Sequence, residues 1–524
     1  MTGMLRLVLL AVAVAVSTLG STTSLLAGEE LTPSTLWDVR SDFGGADYPF
    51  RVAVGLDGHP VVAVTSTGFG RAIKYDGKTG AVLWNVTYSD PGGAFLEFLG
   101  IAVGPDGNPV VVGSVIDDSC LPGYACRPLA VKYDGSNGAV LWVTGMSGSL
   151  DFMGVAIGSD GHPVVSRNDC DPNTCGVKTV KLDGATGVRL WTSTFSSQRY
   201  ENVEDVTIGP HDDPVSVGSS LLEYEGDTGV ILKDLGRFVD FGVASAAVAA
   251  DWDMFVTGIS GGFFDEDGFL ADSRVGVARL KHESGKILWS VAVDLPSSTV
   301  DVGRKIALGA DGHPLVLGNS CVPHRPDCDW VTMKLAAGTG ALMWSVTLSP
   351  PGNHDQAMGL AAGPDGNPVI AGADCPTSFV ACAIRGVKYL LRYQTDLGFN
   401  VAVAMNGGTR VADGASLTFA RVTTAGASTL VTGASGPPPP PGVALGKPAT
   451  YYDVATTADF TGSVQVCFNY GQRPVSSPEK DLKLFSFDGG HWTDVTTSLN
   501  RGANVICGEV NRLSTFLLAT KVSP

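Results

Sequence analysis

The sequence predicts an all-β chain: a seven-bladed β-propeller closed by an N-terminal strand, followed by a C-terminal β-sandwich. Two repeated motifs and the composition carry this prediction. A turn of the form DG[HN]P begins at Asp57, Asp106, Asp160, Asp311 and Asp365, with degenerate versions at 211–214 and 251–254. A second motif follows in the first six units, as DGKTGAVLW at 76–84 and DGATGVRLW at 183–191. Repetition every 40–60 residues or so marks an array of supersecondary units. The 524 residues include 67 Gly and 30 Pro, and only 17% are charged, a balance that suits a turn-rich β protein.

The first element is a targeting segment. Arg6 precedes an apolar run from Leu7 to about Val16, too short to span a bilayer, so residues 1–27 are expected to be a secretory signal peptide. The expected location is secreted, cell-surface or periplasmic, with no membrane span.

Each repeat then parses into four short strands. In the first, FRVAVG enters the DGHP turn and PVVAV returns; RAIKYD and AVLWNVTY follow around a Gly-containing turn. The seventh unit, with RGVKYLL from Arg385, lacks an outer hairpin, whereas STLWDV with Trp37 stands orphaned before the first turn. The N-terminus is therefore expected to supply the missing outer strand of a propeller over 34–394, leaving no exposed sheet edge.

At the second motif the chain resembles a known family. Asp76, Thr79, Gly80, Trp84 and Asp183, Thr186, Gly187, Trp191 fit the tryptophan-docking repeat of quinoprotein-like (PQQ-type) propellers. That resemblance implies a structural role for Trp37, Trp84, Trp142, Trp191, Trp289 and Trp344, each packing one blade on its neighbour. Quinone-dependent members carry adjacent cysteines and a calcium site beneath the quinone. This sequence has no Cys-Cys dipeptide, so the similarity points to the non-catalytic branch, with no cofactor and no metal.

The ten cysteines fall into pairs. Cys120–Cys126, Cys170–Cys175, Cys321–Cys328 and Cys375–Cys382 are local, and Cys467–Cys507 lies near the C-terminus. Such spacings suit disulfide-pinned hairpins in an oxidising compartment and lack the CxxC sets that zinc prefers.

In a propeller blade the repeated turns share one face, and irregular loops share the other. The local cysteine pairs and the insertion 261–273 map to the irregular face, where binding is expected. Counting back seven residues from the glycine before each turn places Tyr48, Glu97, Asp151, Asn202 and Gln356 at the channel mouth, with Asp205, Asp301 and Asp355 nearby. This ring is the candidate ligand-binding site, suited to a cation or a polyhydroxylated ligand. The recurring cations Lys74, Lys132, Lys181, Lys334, Lys388 and Arg279 read as blade-surface residues with buried stems, Lys74 and Lys132 lying near Asp76 and Asp134. His59, His162 and His313 alternate with Asn108 and Asn367 at one turn position and read as blade markers.

No HExxH or P-loop pattern occurs, and a net charge of −17 disfavours nucleic acid as a partner. Residues 395–524 read as a β-sandwich accessory domain, with a stiff Pro-rich loop at 436–442. The preferred function is a non-enzymatic scaffold binding a protein or carbohydrate ligand on the disulfide-bearing loop face. The alternative is a propeller enzyme, either a quinone-dependent oxidoreductase or a hydrolase or lyase using the acidic residues at the mouth.

Overall fold

The DGHP turn closes because Gly58 takes a left-handed backbone (φ +75°), while the Asp57 carboxylate accepts the His59 N–H at 3.0 Å. Pro60 then begins the return strand, and Tyr48–Val54 pairs with Pro60–Ser66 from Val54 opposite Pro60 outwards. Phe69–Tyr75 and Val82–Tyr88 complete the sheet in chain order. In the second turn Asp76 Oδ1 accepts the Thr79 hydroxyl and the Lys78 and Thr79 N–H groups, and Gly80 supplies a φ of +73°.

The computed structural model describes residues 29–521 apart from 117–126, 147–151, 171–174, 197–201, 237–238, 265–269, 296–299, 323–327, 350–354, 376–381, 406–413, 472–474 and 476–477. The expected signal peptide, the Cys120–Cys126 pair, Asp151 and the Cys170 side chain lie outside the described residues. Among the described residues no helix is long and apolar enough to cross a membrane.

The four-strand pattern recurs along the chain as an all-β propeller. Its innermost strands are Tyr48–Val54, Phe95–Val103, Phe152–Ile157, Val203–Ile208, Gly242–Val248, Val300–Leu308 and Gln356–Ala362. Each lies against the next, and Gln356–Ala362 lies against Tyr48–Val54. Strand Glu30–Ser41 pairs antiparallel with Ala383–Thr395, setting Trp37 opposite Lys388. Apolar side chains fill the space between successive sheets, as where Val61, Ala72 and Trp84 meet Phe98, Val111 and Tyr133.

The propeller strand Ala383–Thr395 runs on without a linker. Its last residues pair with Gly426–Gly433, to which Tyr451–Thr456, Thr515–Lys521, Leu482–Asp488 and His491–Asp494 add in turn. A second sheet is ordered Gly398–Met405, Ala415–Thr424, Asp459–Asn469, Val505–Val510 and Thr496–Asn500. Leu430, Tyr452, Leu484 and Phe516 of one sheet share a core with Leu417, Phe419, Phe468 and Ile506 of the other. Within the proline-rich run, the Pro438 carbonyl accepts the Trp492 indole N–H at 2.6 Å.

This C-terminal part rests on the repeated turns. Ala434 N–H donates to the Asp57 carbonyl at 3.0 Å, Ser435 Oγ to Asp76 at 3.2 Å, and Lys78 pairs with Asp453 at 2.6 Å. Asn367 Nδ2 reaches the Leu430 carbonyl at 3.1 Å. The turn face of the first and last blades is therefore occupied by the chain's own C-terminal sheets.

Candidate functional site

Two sets of polar side chains could carry function: the repeated cations with their turns, and the charged groups at the channel. The repeated cations are structural, which corrects the surface reading given above. Lys74 is 6% exposed, and its ammonium binds Asp57 at 2.6 Å and the Gly135 carbonyl of the next blade at 2.8 Å. Trp84 donates its indole N–H to that same carbonyl at 3.1 Å. Lys132 with Trp142 repeats the joint on Gly184, and Lys181 with Trp191 repeats it on Gly226. Arg279 and Trp289 converge on the Ala337 carbonyl.

The partner of each lysine is therefore the Asp of the DG turn on the preceding hairpin. Asp76 and Asp134 instead cap their own turns. The period-two spacing that drew attention to Asp76 was real, but its Oδ1 is taken up by its own turn and its Oδ2 accepts from Ser435. At the ends of the array the same joint uses other parts. Lys388 and Trp37 both reach the Gly77 carbonyl, at 3.1 and 3.2 Å. Lys334 and Trp344 reach the Glu30 carboxylate, at 2.6 and 2.5 Å. Lys233, which stands where a Trp is expected, lies instead against His282, whose ring stacks on Trp252 at 4.7 Å.

The turn histidines have a definite duty. His59 Nδ1 accepts the Gly77 N–H at 3.0 Å, His162 the Gly184 N–H at 2.9 Å, and His313 the Ala337 N–H at 2.9 Å. Asn108 Oδ1 does the same for Gly135 at 2.8 Å. Only an unprotonated Nδ1 can accept, so His and Asn alternate because each offers an acceptor at that place. Gly77 has no room for a side chain: a Cβ there would stand 1.9 Å from the Gly58 carbonyl.

Burial lowers the His59 pKa, as do Lys74 and Lys388, against the opposing pull of Asp57 and Asp76. A depressed histidine contributes stability that is present above its unfolded value of about 6.5 and is lost as pH falls through the lower folded value. We expect His59→Asn to lose less thermal stability than the wild type between about pH 7.5 and pH 5. Equal losses in calorimetry would contradict this assignment.

The channel differs from the acidic ring expected at its mouth. Asp301 and Asp355 are fully buried; Asp301 Oδ2 accepts the Leu295 N–H at 2.7 Å and Asp355 Oδ1 the Cys375 N–H at 2.9 Å. Tyr48 packs beside the Cys375–Cys382 disulfide, and burial raises its pKa. Glu97 and Gln356 are half-buried on strands Phe95–Val103 and Gln356–Ala362. Asn202 and Asp205 do meet other functional groups. Asn202 Nδ2 donates to Glu204 at 2.6 Å, and Asp205 is paired with Lys305 and accepts from Ser245 Oγ at 2.8 Å.

The cations beside them escaped the sequence reading. Every innermost strand carries a register shift, for example between Pro49 and Arg51, Val203 and Asp205, and Gly303 and Lys305. The residue after the shift stands four before the turn glycine, or before Ala249 in the fifth unit: Arg51, Gly100, Gly154, Asp205, Ser245, Lys305 and Gly359. Aligning the units at that offset would have singled out three charged residues among small ones. Burial pushes the Asp205 carboxyl up, but Lys305 and Arg51 more than offset this and hold it below the usual range. Glu204 is raised by burial.

Glu204 and Arg304 line a cavity of about 760 Å³ together with Asn202, Ser219, Asp240 and Phe241. It opens where the innermost strands begin, on the face opposite the DG turns. Cys321–Cys328 and Cys375–Cys382 are disulfides on the loops of that same face, and Cys175 and the cross-strand pair Cys467–Cys507 are also disulfide-bonded.

Comparison with known proteins adds the following. Residues 23–232 match the family model described as PQQ_2, outer membrane protein assembly factor BamB. A search of curated proteins finds no match. Among solved structures, BamB from Moraxella catarrhalis aligns at 15% identity over 64% of this chain and 84% of its own, with a TM-score of 0.35. The WD40 propeller domain of Doa1 aligns at 12% identity over 67% and 97%, TM-score 0.42. Streptogramin B lyase aligns at 12% identity over 67% and 97%, TM-score 0.40. With the Asp-x-x-Thr-Gly-x-x-x-Trp repeat folded into inter-blade joints, the chain is an all-β propeller whose residues 23–232 are similar to the PQQ_2 family.

Proposed function

We propose that this protein is an exported, non-enzymatic scaffold that binds a protein or carbohydrate ligand through the disulfide-bearing loop face. In this reading residues 1–27 are removed on export to the periplasm, the cell surface or the medium. Residues 34–394 form seven blades closed by the strand carrying Trp37, and residues 395–524 form an accessory sandwich. One observation carries the reading: the two faces are put to different uses. The repeated polar residues of the turn face are consumed in blade joints, and over the first and last blades that face is covered by the C-terminal sheets.

The opposite face presents varied loops on a rigid frame, some pinned by disulfides, together with the charged cavity at the channel. Such a frame presents a binding surface from strand ends that the blades hold in place. Of the expected mouth residues, we assign Asn202 to the ligand site, with Glu204 and Arg304 added, while Asp205 is buried and spent on Lys305 and Ser245. A glycan array and a pull-down with the full chain test the proposal. Saturable retention of a glycan or a protein by the oxidised chain, lost on reduction of the disulfides, is the expected result. Turnover of the retained ligand would overturn the non-enzymatic assignment.

A further inference from the structure

The cavity beside the channel contains an unmet donor. Arg304 Nε is buried and has no hydrogen-bond partner among the described residues, although the guanidinium is close enough to Glu204 to feel its charge. The neighbouring cations are already engaged: Lys305 is paired with Asp205, and Arg51 donates to the Met358 carbonyl at 3.1 Å. A buried donor left unmet is costly, the more so when the group is charged. A planar guanidinium is best satisfied by a two-oxygen anion such as a carboxylate.

The remaining lining is not cationic. Glu204 and Asp240 offer carboxylate oxygens, Asn202 an amide and Ser219 a hydroxyl, and Gly218, Gly261 and Gly262 also border the space. A simple polyanion would meet repulsion from Glu204 and Asp240. A molecule carrying one carboxylate and several hydroxyl groups would not, because its hydroxyls can donate to those acids while its carboxylate meets Arg304. The volume of about 760 Å³ falls within the range of small-ligand sites and exceeds what one monosaccharide needs.

Building on the loop-face reading above, we propose that this cavity binds an acidic sugar, with the carboxylate of a uronic-acid residue on Arg304 and its hydroxyls on Glu204, Asp240 and Asn202. The source is either a free sugar or the terminal residue of a glycan chain, and both present the same chemistry.

Calorimetric titration of the full chain with glucuronate, glucose and succinate tests this, with a uronate-terminated oligosaccharide as a fourth arm. Glucuronate is expected to bind at least about tenfold more tightly than glucose or succinate, since a charge-assisted pair is at stake. Arg304→Gln should remove that preference, leaving glucuronate and glucose equal, while Glu204→Gln should weaken both sugars. Tighter binding of the oligosaccharide would assign the site to a glycan end; equal binding would assign it to the free sugar. A wild type that binds glucuronate no better than glucose or succinate overturns the proposal, as does an Arg304→Gln protein with the wild-type melting temperature and undiminished preference. The loop-face pull-down repeated with Arg304→Gln separates the two readings: a partner retained by a variant that has lost glucuronate leaves the scaffold role intact.

Discussion

Lys388→Ala is expected to destabilise the protein by about 3–5 kcal/mol, among the largest losses from any single side chain. Lys388 and Asp365 are both fully buried and pair at 2.7 Å, and Lys388 also donates to the Gly77 carbonyl at 3.1 Å. Removing the ammonium leaves a carboxylate in the interior with no counter-charge, so the loss is that of an uncompensated ion and exceeds that of one bond. The equivalent pairs give a graded control. The Asp57 side chain is 16% exposed and the Asp106 side chain 43%. Water can therefore take over part of the solvation when Lys74 or Lys132 is removed, and the losses should fall in the order Lys388, Lys74, Lys132. The double change Lys388→Met with Asp365→Leu should restore much of the stability. Denaturant melts of this series check the ranking; a uniform loss would contradict the buried-pair account.

Trp37→Ala should cost about 3–5 kcal/mol, because it removes a large buried aromatic and opens a cavity between strands far apart in sequence. Trp37 is 7% exposed, stacks on Tyr75 with ring centroids 6.4 Å apart, and donates to the Gly77 carbonyl at 3.2 Å. Gly80 leaves little slack, since a Cβ there would come within 3.0 Å of the Trp37 ring. Trp37→Phe keeps most of the volume and loses the indole donor, so it should cost only about 1 kcal/mol from the hydrogen bond plus a small packing term. Because Trp37 joins the N-terminal strand to the first blade, Trp37→Ala should also broaden the transition. A sharp, unshifted melt would show that this strand does not hold the array together.

The repeated features were legible in the sequence for a physical reason: each joint must satisfy the same carbonyl with the same donors. The glycines, tryptophans and turn acids therefore recur at fixed offsets, and they point to an all-β propeller. The duty of the histidines was not legible, since the N–H that His59 meets belongs to Gly77, on a turn that comes together only when the sheet forms. The lysine partners were missed for a related reason. Asp76 lies two residues from Lys74 in sequence, but Asp57, across the sheet, lies nearer in space.

The channel was the least legible part. Counting residues along an innermost strand assumes unbroken alternation, and the register shift in each such strand moves the next side chain to the other face. Asp301 and Asp355 looked like mouth residues by proximity, yet both carboxylates are spent on backbone N–H groups. Arg51, Arg304 and Lys305 were passed over because they break the repeat, whereas the search followed what repeated. Functional residues on a repeat scaffold are expected at such departures.

The central claim, that ligand binding belongs to the loop face and structural work to the turn face, is tested most directly by one bulky charge placed on each. Val322, beside the Cys321–Cys328 disulfide, is 41% exposed on the loop face, and Ala185 is exposed in a DG-type turn on the other. Both variants should melt as the wild type does, since neither side chain is buried. Val322→Arg is expected to reduce retention of the ligand found by array or pull-down at least about tenfold, with Ala185→Arg unchanged. Retention lost with Ala185→Arg and kept with Val322→Arg would place binding on the turn face and contradict the account.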